Sequence, residues 1–390
     1  MALAAFERDL RRSGIVLRSP DALRRIATAP GELGFARAYV AGDLDIEGDV
    51  YEALALLERR RALSHLIREL VPVARDLGIA SLRPLPAPPE EARLRGRRHS
   101  KARDAAAISH HYDVSNRFYR LVLGPSMTYS CALFADPAAT LEEAQEAKHE
   151  LVAQKLRLRE GMRFLDVGCG WGSMLIHAAE RYGVTGIGVT ISRRQAELAR
   201  ARVLEAGVAD RIEIRLADYR DVADGPYDAV SSIGMFEHVG LSQLDLYFRR
   251  LRTLLRPGGL LLNHGIGRPP GRRPLLPRRT FVNRYVFPDG ELHEVGAVVS
   301  RIQAAGFEVR HLESLREHYP LTLRRWVQNL EDSWDEAVAE AGSARARIWR
   351  LYMAGSALGF EAGRLQVHQV LAVRPDRGAS GLPLRPAAWR

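Results

Sequence analysis

The sequence predicts an α/β protein, a mostly parallel sheet with helices on both faces, preceded by a small mainly helical domain. Three observations carry this. From about Leu151 short apolar runs alternate with stretches of helical periodicity, the pattern of consecutive strand and helix units. The first run opens directly into a glycine-rich turn, where open sheets of this kind bind ligands. Upstream, helical periodicity broken by charged turns gives way to a stretch dense in proline and arginine.

Taken in order, residues 1–80 are expected to form the small domain, with helices over Pro20 to Ala29 and Tyr51 to Leu70, where apolar residues recur at i, i+3 and i+4. Between them Gly34 to Val50 holds the breakers Gly42, Asp43 and Gly48 among roughly alternating apolar residues, so a short hairpin is expected. Residues 81–107 read as a linker. Pro84, Pro86, Pro88 and Pro89 stiffen it, and Arg93, Arg95, Arg97, Arg98, Lys101 and Arg103 make it basic. It is either a solvated tether or a patch for lipid head groups or a tRNA backbone. The remaining 108–390 are expected to hold the sheet. Its strands fall at Phe164 to Val167, Val184 to Val189, Ile212 to Leu216, Ala229 to Ile233, Leu260 to Leu262, Phe307 to Arg310 and Val367 to Val373. Ser192 is placed to cap a helix over Arg193 to Glu205.

A length of 390 residues suits two domains, and 46% hydrophobic with 27% charged residues excludes disorder or a fibrous repeat. Cys131 and Cys169 are too few for a disulfide framework. Glu7, Arg8 and Asp9 stand where a signal peptide would need its apolar stretch, so a cytoplasmic location is expected. No apolar run approaches the roughly 18 residues of a membrane span. A lipid substrate would have to be reached from the side. The net charge of +10 attracts anionic surfaces, nucleic acid or phospholipid alike, although an arginine-rich composition alone would also produce it.

The stretch Leu165-Asp166-Val167-Gly168-Cys169-Gly170-Trp171-Gly172 is a strand turning sharply through glycines. Its G-x-G-x-G spacing, with an acid two residues ahead, differs from the G-x-G-x-x-G form that seats a pyrophosphate. A carboxylate such as Asp166 suits a ligand with an amino acid end, and S-adenosylmethionine carries both an ammonium and a sulfonium. After the second strand Thr190, Ile191 and Ser192 stand where many such enzymes place an acid, leaving Gln195 to bond ribose hydroxyls. Asp218 and Tyr219, after the third, are placed to meet adenine, with ordinary packing the other reading of Tyr219. Ile233, closing the fourth strand, is counted with the cofactor residues.

With these residues in place the chain resembles the cyclopropane-fatty-acyl-phospholipid synthases and the related mycolic acid cyclopropane synthases. The resemblance runs from Ile108 to the C-terminus through His110-His111-Tyr112-Asp113-Val114-Ser115-Asn116, Met127-Thr128-Tyr129-Ser130-Cys131, the glycine turn, Gly188-Val189-Thr190-Ile191-Ser192, Gly234-Met235-Phe236-Glu237-His238-Val239-Gly240 and His264-Gly265-Ile266-Gly267. It implies a Rossmann-like seven-stranded methyltransferase sheet and S-adenosylmethionine as cofactor, contacted also by Tyr129 and Ser130. It further implies a bicarbonate ion held by Glu237, His264, Tyr319 and the backbone of Cys131 and Ile266, with no metal. The implied partners are unsaturated phospholipid acyl chains, reached by a homodimer peripherally associated with the inner face of the membrane, and no nucleic acid. Two departures stand out. Ser356 replaces a late-helix cysteine found in some members, and Pro269 to Arg279 is unusually rich in proline and arginine.

The chemistry explains those residue types. An alkene is a poor nucleophile, so it needs a strongly electrophilic methyl donor, and its attack leaves a carbocation. A base must then take a proton so that the ring closes without capturing the cation, a task suited to an oriented oxyanion. Tyr112, Phe236 and Tyr319 are candidates to face the cation. Duller roles are a cap or ion pair for Glu237, core packing for His264, and a merely small buried residue at Cys131. Loss of a different proton would leave a methylene branch instead of a ring. Nucleic acid methylation would want an Asn/Asp-Pro-Pro-Tyr/Phe motif where this chain reads Gly234-Met235-Phe236-Glu237. A silent lipid-binding module would not need the full set of polar groups.

Overall fold

The computed structural model describes residues 10–12, 14–59, 83–93, 96–98, 100, 103–104, 106–108, 114–271 and 280–384. The expected helix beyond residue 59, Arg95, Lys101, the motif residues His110 to Asp113 and residues 272–279 of the proline–arginine segment lie outside the described residues. Two compact units result. The smaller comprises Met1–Arg93, Pro274–Pro288 and Trp326–Leu358, and the larger Leu94–Arg273, Asp289–Arg325 and Gly359–Arg390.

In the smaller unit, β1 (Ile15–Leu17) pairs antiparallel with β2 (Leu44–Ile46) beside the helices Asp21–Thr28, Glu32–Val40 and Val50–Arg59. The hairpin expected within Gly34 to Val50 does not form, because Glu32–Val40 is helical and Leu44–Ile46 finds its partner in β1. That helix buries Leu33, Gly34, Phe35, Ala36, Ala38, Tyr39 and Val40. A helix covered nearly all round shows no polar stripe, so its period is easily mistaken for alternation. Two arginines of the helix Ser343–Glu361 fasten β2. Arg347 donates to the carbonyls of Tyr39 and Leu44, and Arg350 to the carbonyls of Ile46 and Gly48 and to Glu331.

The larger unit carries a seven-stranded sheet, β3 (Arg163–Val167), β4 (Thr185–Thr190), β5 (Ile212–Leu216), β6 (Tyr227–Ile233), β7 (Leu255–Gly267), β8 (Glu308–Ser314) and β9 (Gln366–Val373). Their order is β5-β4-β3-β6-β7-β9-β8, parallel from β5 to β7 and antiparallel at β9. This is the Rossmann-like sheet with helical cover that the sequence predicts. The one large difference is β7, which continues through Asn263, His264 and Gly265. Those residues have little strand preference of their own, and pairing to β6 on one side and β9 on the other holds them extended.

Alternate residues of these strands enter two separate cores. Phe164, Ala229, Leu260, Leu262, Leu371 and Val373 pack under the helices Leu141–Lys155, Ser173–Tyr182 and Arg193–Glu205. Leu165, Val230, Leu261, Val370 and Ala372 pack against Leu244–Leu254 and Val295–Ala304. Burial on both faces is why the strands read as continuous apolar runs. Each fully buried Leu or Phe contributes about 1.5–3 kcal/mol. The helix Leu141–Lys155 starts at a reciprocal cap, Thr140 accepting from the Glu143 N–H while Glu143 accepts from the Thr140 N–H. Its buried face mixes Leu141, Ala144, Leu151, Val152 and Ala153 with the polar Gln145, Lys148, His149 and Lys155.

Candidate active site

At the end of β3 the chain turns through Gly168, Gly170 and Gly172, all at positive φ (79°, 54° and 83°), a region that side chains with a Cβ rarely adopt. The turn delivers the chain into the helix Ser173–Tyr182. Asp166, on β3 just before it, is buried and accepts from the Ser231 hydroxyl at 2.5 Å, its direct neighbour on β6. Burial pushes the Asp166 carboxyl up to about 6, against the pull of Ser231 and Lys148. Lys148 is buried too, and desolvation brings its ammonium down to about 8 while Asp166 and Cys131 oppose the change.

On β4, Thr190 donates to the side-chain oxygen of Gln195 at 2.7 Å, and Ser192 caps the helix Arg193–Glu205 as expected. Ile191 between them is half-buried. Asp218 is occupied by Arg220, which reaches its two oxygens at 2.8 and 2.6 Å and lies 5.5 Å from the centre of the Tyr219 ring. Tyr219 is buried, edge-on to Tyr247 at 4.9 Å. The approach to Tyr129 and Ser130 is braced from beneath. Ser126 donates to Gln145 at 2.6 Å, Gln145 donates to the carbonyls of Leu123 and Thr128, and Arg202 donates to the carbonyls of Ser126 and Trp171. Tyr119 sits between, 5.9 Å from the Tyr129 ring and 4.8 Å from Trp171.

A second group gathers where β6 and β7 end. Ile233 stands opposite His264, so the turn after β6 brings Glu237, in the helix Phe236–Val239, over the end of β7. Glu237 Oε1 accepts the Ile266 N–H at 2.6 Å, while Oε2 is buried with no hydrogen-bond partner among the described residues. Desolvation raises the carboxyl to about 7, with the Ile266 N–H pulling it down. His264 is buried, and Gln369 faces its Nδ1 at 3.2 Å. Burial, with Lys148, Lys155 and His368 nearby, takes the imidazole down to about 3, so the ring is neutral at physiological pH. Gly265 is indispensable to this arrangement, since a Cβ there would lie 1.8 Å from the Phe236 ring.

Cys131 is fully buried, its thiol pushed up by desolvation and turned towards the carbonyls of Ala132 and Leu315. The next residues tie this segment to the helix His318–Asp332. Thr322 accepts the Ala132 N–H at 3.1 Å, and His318 accepts the Phe134 N–H at 3.2 Å. Tyr319 belongs to the first turn of that helix and packs on Phe360 at 4.6 Å. The structure thus joins Glu237 to Ile266 directly, His264 to Ile233 by strand register, and the Cys131 segment to the turn bearing Tyr319. The Ile266 N–H is spent on Glu237. Sequence reasoning missed Lys148, Ser231, Lys155 and Gln369; the two lysines carry no local sign of burial, since they sit in a helix rich in charged residues.

A family model described as mycolic acid cyclopropane synthetase matches residues 99–370. The chain belongs to that family. It is an S-adenosylmethionine-dependent methyltransferase. A probable fatty acid methyltransferase of Mycobacterium tuberculosis is 51% identical over 96% of this enzyme and 90% of its own length. The cyclopropane-fatty-acyl-phospholipid synthase of Escherichia coli is 35% identical over 70% of this enzyme and 69% of its own length. Among solved structures, a mycolic acid cyclopropane synthase in complex with S-adenosylhomocysteine and CTAB is similar at a TM-score of 0.65 and 34% identity. That likeness covers 69% of this enzyme and 98% of the other chain.

Proposed function

We propose that the enzyme transfers a one-carbon unit from S-adenosylmethionine to the cis double bond of an unsaturated phospholipid acyl chain and closes a cyclopropane ring, with bicarbonate as base. The observation that carries this is the second carboxyl oxygen of Glu237, buried without a partner among the described residues at the end of β7. A buried polar atom left unpaired costs about 1–3 kcal/mol, so a small hydrogen-bonding oxyanion fits there. A carboxyl poised at about 7 can share a proton with such an ion instead of repelling it. His264, neutral, and Tyr319 would complete the cradle with the Cys131 backbone. When bound, S-adenosylmethionine supplies an electrophilic methyl group and bicarbonate supplies the proton acceptor. The chain's own part is to orient that acceptor and keep water out, which the burial of Glu237, His264 and Phe236 supports.

Among the described residues no helix is long and apolar enough to cross a membrane, which supports approach to the acyl chain from the bilayer surface. Arg98 and Arg103 add nothing to that approach, because Asp289 and Glu291 engage them. The same reading includes a homodimer at the cytoplasmic face of the membrane, which sedimentation with and without anionic vesicles tests. Nucleic acid is not a substrate in it.

A second reading has one observation in its favour. A relative that matches nearly end to end is named a probable fatty acid methyltransferase, and the same attack leaves a methyl branch if a chain proton is lost, or a methylene branch if a hydride shifts to the cation before the methyl group gives up its proton. Incubating the protein with S-adenosylmethionine and vesicles of cis-unsaturated phospholipid, then examining acyl chains by mass spectrometry and NMR, separates the two. Ring protons support the proposal; an exocyclic methylene or methyl branch replaces it. Glu237→Gln is expected to reduce turnover greatly and leave cofactor affinity nearly intact, and full activity would remove Glu237 from the mechanism.

A further inference from the structure

Three residues stand side by side across β7, β9 and β8. His264 pairs with Gln369, and Gln369 pairs with Glu313. Directly opposed residues project to one face of a sheet. Here it is the face that also presents Leu260, Leu262, Leu371 and Val373 to the helix Leu141–Lys155. Lys155, the last residue of that helix, has no exposed side-chain surface. Its ammonium bonds the Glu313 carboxylate and donates to Gln369 Oε1 at 2.6 Å.

An ammonium has hydrogens to give and no lone pair. The amide oxygen of Gln369 must therefore be the atom facing Lys155, and the amide nitrogen must be the one facing His264. That nitrogen lies 3.2 Å from His264 Nδ1 and can only donate. Nδ1 must then accept, which requires it to carry no hydrogen. In a neutral imidazole the single hydrogen is left on Nε2. Gln369 is fully buried, so no water competes for either end of its amide.

We propose that Gln369, oriented by Lys155, is a positioning residue that holds His264 in its Nε2–H form, so that the ring is a hydrogen-bond donor towards the oxyanion and not a second base. This rests on the reading of His264 as a ligand of that ion. The donor role suits the site. A second proton acceptor beside a base would compete for the same proton, whereas an N–H fixes the ion's orientation at no cost in basicity elsewhere. Lys148, Lys155 and His368 are the charged and titratable groups around the ring, and each disfavours a second proton on it.

The test is tautomer-resolved NMR on the full-length protein labelled with 15N-histidine at pH 7, His264 being assigned by the signal lost in His264→Asn. The expected wild-type spectrum shows a pyridine-type Nδ1 and a pyrrole-type Nε2. In Gln369→Glu a carboxylate replaces the donor, and the hydrogen should move to Nδ1. Turnover there should fall on the order of 10–100-fold, the range for groups that orient a functional imidazole, with S-adenosylmethionine affinity unchanged. A pyrrole-type Nδ1 in the wild type, or an unaltered His264 pattern in Gln369→Glu, would overturn the inference. The wild-type spectrum stands alone even if the variant misfolds. A moved hydrogen with wild-type turnover would keep the tautomer assignment and overturn the placing of His264 at the base.

Discussion

Replacing Glu237 with glutamine should make the ligand-free protein more stable at pH 8 and leave it little changed at pH 5. Burial raises this carboxyl from 4.5 to about 7 in the fold, the Ile266 N–H offsetting part of the effect. Because the folded value lies above the unfolded one, the folded chain keeps a proton that the unfolded chain has already released. Stability therefore falls as pH rises from about 4.5 to 7. At about 1.4 kcal/mol per tenfold in proton affinity, the carboxyl costs the fold roughly 3 kcal/mol at pH 8 and under ~1 kcal/mol at pH 5. Glutamine keeps the shape and can still accept the Ile266 N–H, but it cannot ionise. The difference in unfolding free energy between variant and wild type should grow by roughly 2 kcal/mol from pH 5 to pH 8. Denaturant titrations of both proteins in carbonate-free buffer, without S-adenosylmethionine, measure it. Parallel stability curves, or a variant that loses ground at pH 8, would refute the burial argument. The result would also show that this position is kept for chemistry at the expense of stability.

Three further outcomes follow from the same geometry. Gly265→Ala sets a methyl group against the Phe236 ring and should cost about 1–3 kcal/mol together with most turnover; adding Phe236→Leu should return stability but not activity, as thermal melts and product assays can check. His264 has a folded value of about 3, below its unfolded 6.5, so its contribution is complete above 6.5 and is lost as pH falls towards 3. The wild type should lose about 1 kcal/mol by pH 5.5 that His264→Asn does not, read from denaturant midpoints. Lys148→Met removes the cation that opposes the buried Asp166 charge and should destabilise by about 3 kcal/mol; an equal loss when Asp166→Asn is already present would show that the two do not interact.

The seven strands, the glycine turn and the Ser192 cap were legible in the sequence because each rests on short-range physics. Two-sided burial makes apolar runs, a left-handed turn demands glycine, and a hydroxyl before a helix satisfies a free N–H. The glycine turn likewise nominated Asp166, and the family resemblance nominated Glu237 and His264. Sequence reasoning misread Gly34 to Val50, where a helix buried on nearly every side hides its period. The extension of β7 through His264 was also out of reach, since pairing with β6 and β9 imposes it against local preference.

What only the tertiary structure decided is the electrostatic state of those nominated groups. Glu237 finds the Ile266 N–H 29 residues away, and His264 finds Gln369 across 105. Lys148 and Lys155 look like surface residues of a charged helix until the fold buries them on the same side as Val152 and Ala153. Proton affinity depends on desolvation and on charges a few ångströms off, quantities set by strand order and helix placement. Residue types fix which reactions are conceivable, while the protonation that selects among them comes from neighbours the chain brings together only on folding.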